Sequence, residues 1–134
     1  MPPPIESRTT LDAFSQFSHK TAATRSGLGW IGKSALLVTP EFGPRVKLYT
    51  VFTDAAFTSS RPEVDNQCGD CELCVSFCPC QAIRNVGWHA RVERESMLDT
   101  HACNDYRMGF KEKIGRKSSC GLCIRVCKFG QFRN

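Results

Sequence analysis

The pattern of apolar and polar residues in the first third of the chain predicts a short helix followed by two strands. Residues 11–25 carry apolar side chains at roughly helical spacing, and Gly27 is placed to end that helix. Residues 35–39 (ALLVT) are a short apolar run, and residues 40–44 (PEFGP) have turn chemistry. Residues 45–54 (RVKLYTVFTD) are rich in β-branched and aromatic residues. We therefore expect one or two helical turns and then two strands joined by a turn.

The chain changes character near residue 67. Residues 54–66 read as a polar linker, and all nine cysteines lie beyond it. The segment from Val92 to Ile114 is charged and predicted to be helical in part. We expect an α+β fold in two lobes. A small N-terminal α/β lobe, residues 1–62, would hold a glycine loop and a two-stranded element, and residues 63–134 would form the cysteine-rich lobe.

Composition narrows the class of protein. The chain has 134 residues, of which 41% are hydrophobic, and it carries both signs of charge, as globular proteins do. No apolar run approaches the ~18 residues that a membrane span requires. The first ten residues lack the basic and apolar regions of a secretory signal. These features predict a cytoplasmic protein that does not associate with a membrane.

The cysteines indicate metal binding. Without a visible export signal, an odd number of cysteines favours a metal site over a disulfide framework. The first group has the C-x₂-C-x₂-C-x₃-C-P spacing of bacterial ferredoxins: Cys68, Cys71, Cys74 and Cys78. In such a run three thiolates bind one [4Fe–4S] cluster and the fourth binds another. A second group, C-x₂-C-x₃-C, lacks a neighbouring upstream cysteine, which Cys103 could supply from a distance; its members are Cys120, Cys123 and Cys127.

Counting the thiols gives two complete ligand sets, so the cysteine-rich lobe is predicted to be a ferredoxin-like module with two [4Fe–4S] clusters. The first cluster would be bound by Cys68, Cys71, Cys74 and Cys127. The second cluster would be bound by Cys78, Cys103, Cys120 and Cys123. One cluster beside a damaged site, or zinc, are the alternatives. The two groups also repeat each other, since residues 71–78 (CELCVSFC) resemble residues 120–127 (CGLCIRVC).

Two further points follow from this count. Cys80 is left over and is expected to be a buried thiol, with redox chemistry or ligand substitution as the alternatives. The formal net charge is +5. Because an oxidised cluster with four thiolates carries about −2, two clusters would bring the protein to roughly +1. The basic sequence is therefore weak evidence for nucleic acid, and no DNA partner is expected.

Residues 27–34 (GLGWIGKS) match the patterns of both a P-loop and a dinucleotide-binding turn. Both motifs need a buried strand before the glycines and a helix after them. Here a polar, helix-compatible segment precedes the glycines, whereas a short strand and Pro40 follow. We therefore expect no nucleotide site. From the residues alone, Gly27 would cap a helix, Gly32 would shape a turn and Trp30 would pack in the core.

The order of these motifs resembles that of the epoxyqueuosine reductase family. GLGWIGK, the TPEFGP turn, the ferredoxin run and a split second group with the isolated Cys103 occur in the family's order between residues 19 and 127. The resemblance implies an enzyme that uses cobalamin and two [4Fe–4S] clusters to make queuosine in tRNA, related to the reductive dehalogenases. It also implies the ligand pairing that counting the thiols gives.

The resemblance further implies roles for residues outside the cysteine groups. Cobalamin would lie against the glycine loop, at Gly27, Gly29, Trp30, Gly32 and Lys33. A nearby acid would protonate oxygen, and Asp12 is the candidate. The expected partners are tRNA and an electron donor such as a ferredoxin or flavodoxin.

Two features depart from the family pattern. Family members carry a longer N-terminal catalytic region, and Lys128 follows Cys127 where proline is usual. Without that catalytic region, two other functions are open: a non-enzymatic electron-transfer protein or module, or a reductive activator of a corrinoid protein. Activity as an oxidoreductase therefore depends on an intact cobalamin site.

Overall fold

The computed structural model describes residues 18–56, 58, 61–115 and 120–131, and within them the chain forms short helices and one small sheet. The elements in chain order are α1 (His19–Arg25), β1 (Trp30–Ile31), β2 (Leu37–Val38), α2 (Leu73–Ser76), α3 (Arg94–Met97), α4 (Thr100–Ile114) and α5 (Leu122–Arg125). The predicted mixture of helix and sheet is therefore confirmed. In this part of the chain no helix combines the length and apolarity that a bilayer crossing would need.

Helix α1 has a defined cap at each end. The Ser18 side chain accepts a hydrogen bond from the Thr21 N–H at its start. At its end Gly27 takes a left-handed conformation with φ +67°. The N–H groups of Gly27 and Leu28 then donate to the carbonyls of Thr24 and Ala23, both at 3.0 Å, which is the Schellman arrangement. The predicted helix end at Gly27 is confirmed, whereas residues 11–17 lie outside the described part.

The sheet is an antiparallel hairpin built partly from the glycine motif. Trp30 lies opposite Val38 and Ile31 opposite Leu37, and all four residues are buried. A strand in residues 35–39 was predicted and is confirmed. The predicted strand over residues 45–54 is wrong, because that segment forms no strand in the structure. Its β-branched and aromatic residues suit a strand but have no partner strand, and Tyr49 and Val51 are each 85% exposed.

Buried apolar side chains are concentrated in the first half of the described chain. Before residue 67 they are Ala23, Trp30, Ile31, Ala35, Leu37 and Val38. Beyond residue 67 only Ala82, Ile83 and Met97 are buried among the described hydrophobic residues. The predicted partly helical segment, Val92 to Ile114, is confirmed by α3 and α4. The cysteine-rich half thus has little apolar core of its own.

The two halves meet where two backbone segments lie against each other. Phe42 and Gly43 contact Phe129 and Gly130 so closely that a Cβ on either glycine would overlap the opposing backbone. The ring of Trp30 packs edge-on against the ring of Phe129, with centroids 4.8 Å apart. The N-terminal hairpin region therefore holds the segment that follows Cys127. The proposed boundary between residues 62 and 63 stays a prediction.

We expect Gly43→Ala to destabilise the protein by about 3 kcal/mol, because the methyl group would overlap the Phe129 carbonyl and φ is +58°. Gly87→Ala is the matched control, since a Cβ there meets nothing within 4 Å. Thermal unfolding followed by circular dichroism measures both variants. Equal melting temperatures for the two variants would contradict this packing.

Candidate metal centre

The first cysteine group is attached to the hairpin through Asn66. The Asn66 side-chain amide donates to the Ile31 carbonyl at 3.3 Å, and its side-chain oxygen accepts from the Cys68 N–H at 2.9 Å. The Cys71 N–H then donates to the Cys68 carbonyl, which closes a tight turn. Cys74 follows in α2. Asn66 thus fixes the start of the cysteine run relative to strand β1.

The second cysteine group begins in the same way, with a turn and a short helix. Gly121, with φ +65°, precedes α5, and its carbonyl accepts the N–H groups of Ile124 and Arg125. Cys123 lies in α5, which packs against α2. The sequence similarity between the two groups is therefore matched by a structural one, since each group places a four-residue helix at the same position.

Arg45 holds the end of this second group. Its guanidinium donates to the carbonyls of Arg125 and Gly130, each at 3.0 Å, and to that of Phe129 at 3.3 Å. A planar guanidinium can satisfy several carbonyls that a helix end leaves without donors. Arg45 also lowers the pKa of Cys127, although burial is the larger effect and raises it. Arg45 thus positions the segment that carries Cys127.

The first predicted ligand set comes together in the structure. The pKa of the Cys74 thiol is raised to about 11, mainly by burial and then by the nearby thiols of the other three members: Cys68, Cys127 and Cys71. The same four cysteines line one cavity, together with Cys123. Cys127 therefore lies beside the first group although it is distant from it in sequence.

The second predicted set comes together around Cys123 and Cys103. Burial raises the pKa of Cys123 to about 11, with further contributions from Cys103 and Cys120. Burial also raises the pKa of Cys103; Arg107 lowers it, and Cys78 and Cys120 raise it. The four thiols of this set, Cys78, Cys103, Cys120 and Cys123, are therefore neighbours.

Cys80 lies at the edge of the second set. Its sulfur is 3.8 Å from that of Cys78, and Cys103 is close enough to raise its pKa, after burial and Cys78. The Cys78 sulfur itself accepts the Ala82 N–H at 3.3 Å. Cys80 is half-buried, whereas a buried thiol was expected. All nine cysteines are free thiols in the structure.

Each of the two groups has the number of thiols that a [4Fe–4S] cluster requires. Among the described residues no three His, Cys, Asp or Glu side chains converge on one point that a single metal ion could occupy. In a [4Fe–4S] cube each thiolate binds a different iron, so the four sulfurs surround the cluster and do not meet at one atom. Two groups of four spaced thiols fit that donor set. Metal ligation at these thiols stays a prediction.

The glycine motif does not have the geometry of a nucleotide loop. Helix α1 precedes it, and residues 30–38 form the hairpin, so the strand, loop and helix order of a P-loop is missing. The Gly32 N–H donates to the Leu36 carbonyl at 2.9 Å, and the Ala35 N–H donates to the Gly32 carbonyl at 2.8 Å. Gly32 therefore shapes the hairpin turn.

The same loop borders the first thiol cavity. Gly32 and Lys33 line that cavity, and a Cβ on Gly32 would lie 3.4 Å from the Cys68 sulfur. Lys33 is half-buried there. The loop is thus in contact with the site predicted for the first cluster.

The other loop residues contact the chain itself where cobalamin was expected. A Cβ on Gly29 would overlap the Val38 carbonyl, and one on Gly27 would overlap the Pro62 carbonyl. Trp30 is 1% exposed, and its indole N–H has no hydrogen-bond partner among the described residues. Gly27 and Trp30 thus pack as the residues alone predict, and binding of cobalamin at this loop stays a prediction. Asp12 lies outside the described residues.

Two positioning residues were missed in the sequence. Asn66, two residues before Cys68, forms a turn that the Asn-x-Cys order could have suggested. Arg45 had no such signal, because its carbonyl partners are about 80 residues further along the chain.

The fold and the thiols define a small mixed helix-and-sheet protein with eight cysteines in two neighbouring groups of four. No family model matches the chain. Curated relatives named epoxyqueuosine reductase include those of Bacillus cereus, 31% identical over 93% of this chain, and Listeria monocytogenes, 35% identical over 96%. The chain spans 32% and 34% of these two relatives.

Solved structures agree with these relatives. An epoxyqueuosine reductase from Bacillus subtilis matches this chain with a TM-score of 0.63 at 26% identity. The match covers 85% of this chain and 30% of the Bacillus subtilis protein. An epoxyqueuosine reductase in complex with an epoxyqueuosine-modified tRNA stem loop matches equally well. The chain is therefore homologous to the epoxyqueuosine reductases and corresponds to about a third of their length.

We expect Cys74→Ala and Cys123→Ala each to lower the iron content from about eight to about four atoms per chain, because each removes a ligand of a different cluster. Cys80→Ala is the matched control and should retain about eight. Iron analysis of anaerobically purified protein, with electron paramagnetic resonance of the reduced state, measures this. A control that loses as much iron as the other two variants would contradict the assignment.

Proposed function

We propose that this chain is the electron-delivering part of a queuosine-pathway reductase. The observation that carries the proposal is the interleaved thiol arrangement: Cys127 lies beside Cys68, Cys71 and Cys74, and Cys103 lies beside Cys78, Cys120 and Cys123. Homology to proteins named epoxyqueuosine reductase supports the reaction class. The bound clusters would supply single electrons at this site.

The chain's own residues would hold the two clusters close together. Helices α2 and α5 pack against each other; α2 carries Cys74 of the first run and α5 carries Cys123 of the second. Cys74 contributes to the surroundings of Cys123, so the two thiol groups are neighbours. Such proximity favours electron passage between the clusters.

The glycine loop is the proposed outlet for electrons. Gly32 and Lys33 line the first thiol cavity, so a redox partner at this loop would lie near the first cluster. We propose cobalamin as that partner by homology. Among the loop residues predicted for cobalamin, only Lys33 offers a side chain that the hairpin packing leaves available. Asp12 stays the proposed proton donor, because epoxide reduction needs a proton at oxygen.

The partners proposed by homology are tRNA and a small electron-donor protein. A related reductase binds a tRNA stem loop carrying epoxyqueuosine. The sequence from Arg107 to Lys117 (RMGFKEKIGRK) is rich in basic residues, and Arg107 and Lys113 lie on helix α4. A ferredoxin or flavodoxin would supply electrons to the clusters in the cytoplasm.

A reconstituted reaction tests this function. The anaerobically purified chain would be mixed with a chemical reductant, cobalamin and a tRNA stem loop carrying epoxyqueuosine, and the modified base would be followed by mass spectrometry. We expect cobalamin reduction and loss of the epoxide oxygen, and neither with Cys74→Ala. A chain with about eight irons that reduces no cobalamin and no epoxide would instead be an electron-transfer module.

A further inference from the structure

A second cavity lies beside the hairpin, where Ile31 and Ala35 line it. It has a volume of about 210 Å³ and lies between helix α1 and residues 88–97. Its apolar wall contains Ile31, Ala35 and Met97, which form the buried core there. Trp88 adds an aromatic ring to the wall. No residue of the two thiol groups lines this cavity.

Two cationic side chains reach this cavity, Lys20 from α1 and Arg94 from α3. Burial, and then the charge of Arg94, lower the pKa of Lys20. Lys20 donates one hydrogen bond to the Ala35 carbonyl, which leaves two donors of its ammonium group. In the described part of the chain, neither cation forms an ion pair with a carboxylate.

Two like charges at one cavity are unfavourable unless an anion compensates for them. A half-buried lysine without a carboxylate partner is an uncommon structural feature, because burial disfavours its charged form. A bound anion would satisfy the remaining ammonium donors and the guanidinium at the same time. The hydroxyl of Thr21, which hydrogen-bonds to that of Ser18 at 2.9 Å, also lines the cavity.

We propose that this cavity binds the phosphate of a nucleotide unit, with Lys20 and Arg94 on the phosphate and Trp88 beside the base. Lysine and arginine are the usual side chains for phosphate, and aromatic rings stack on bases of any sequence. The cavity is smaller than the pockets of about 300–1,000 Å³ that enclose whole ligands, so it would hold the phosphate and the adjoining part of one nucleotide.

This site goes beyond the proposed function, because it uses none of the residues assigned to clusters or to cobalamin. The nucleotide unit could belong to a free nucleotide or to an RNA strand, and both present the same phosphate and base. If RNA is the source, the cavity would fix one nucleotide of a bound tRNA while the base to be reduced lies elsewhere.

Calorimetric titration of the anaerobically purified chain tests the proposal with four probes: adenosine 5′-monophosphate, adenosine, inorganic phosphate and a single-stranded RNA hexamer. We expect the monophosphate to bind more tightly than adenosine or phosphate alone. Lys20→Gln and Arg94→Gln should each weaken that binding at least tenfold, because each removes a charge-assisted hydrogen bond to the phosphate. Trp88→Ala should weaken binding of the monophosphate and leave that of inorganic phosphate unchanged.

Lys47→Gln is the matched control, because Lys47 is an exposed cation that does not line the cavity. This variant should bind the monophosphate as tightly as the unaltered chain does. Arg94 is exposed, so its substitution keeps the test valid even if Lys20→Gln impairs folding. Binding of the hexamer far more tightly than the monophosphate identifies RNA as the source, and the reverse identifies a free nucleotide. The proposal would be overturned if Lys20→Gln, Arg94→Gln and Lys47→Gln bound the monophosphate with equal affinity, or if no probe bound to the unaltered chain.

Discussion

The packing of α2 against α5 is the contact on which the thiol arrangement depends. These two four-residue helices belong to cysteine groups about 50 residues apart, and their contact brings Cys127 to the first group while Cys78 reaches the second. Arg45 and Asn66 tie the same groups to the N-terminal half. Because each group of four draws on both cysteine runs, neither run can form its site alone.

The scarcity of buried apolar side chains suggests what stabilises the cysteine-rich half. Beyond residue 67 only Ala82, Ile83 and Met97 are buried among the described hydrophobic residues. A region with so little core needs another source of stability, and metal ligation commonly supplies it in small proteins. The raised pKa values of Cys74 and Cys123 agree with this, since thiols that are buried together stay protonated until a metal replaces their protons.

Features that depend on local sequence were predicted well, whereas features that depend on contacts between distant residues were not. The Gly27 helix end and the two thiol groups followed from spacing, because capping and thiol spacing are local properties. The partner strand of β2 could not be predicted in this way. Residues 30–31, which form it, resemble part of a glycine loop, whereas residues 45–54 resemble a strand and do not form one. Likewise the close approach of Gly43 to Phe129 joins residues 86 positions apart, and no local pattern encodes it. The burial of Trp30 agrees with the core position that the residues alone predict.

We propose that each of the two interleaved sets of four thiols holds a [4Fe–4S] cluster. Diffraction from crystals of the anaerobically purified chain, with anomalous differences measured on either side of the iron absorption edge, tests it most directly. We expect two separate four-iron peaks, one bounded by Cys68, Cys71, Cys74 and Cys127 and the other by Cys78, Cys103, Cys120 and Cys123. Single-ion peaks, or one cluster bound by all four cysteines of the first run, would contradict it.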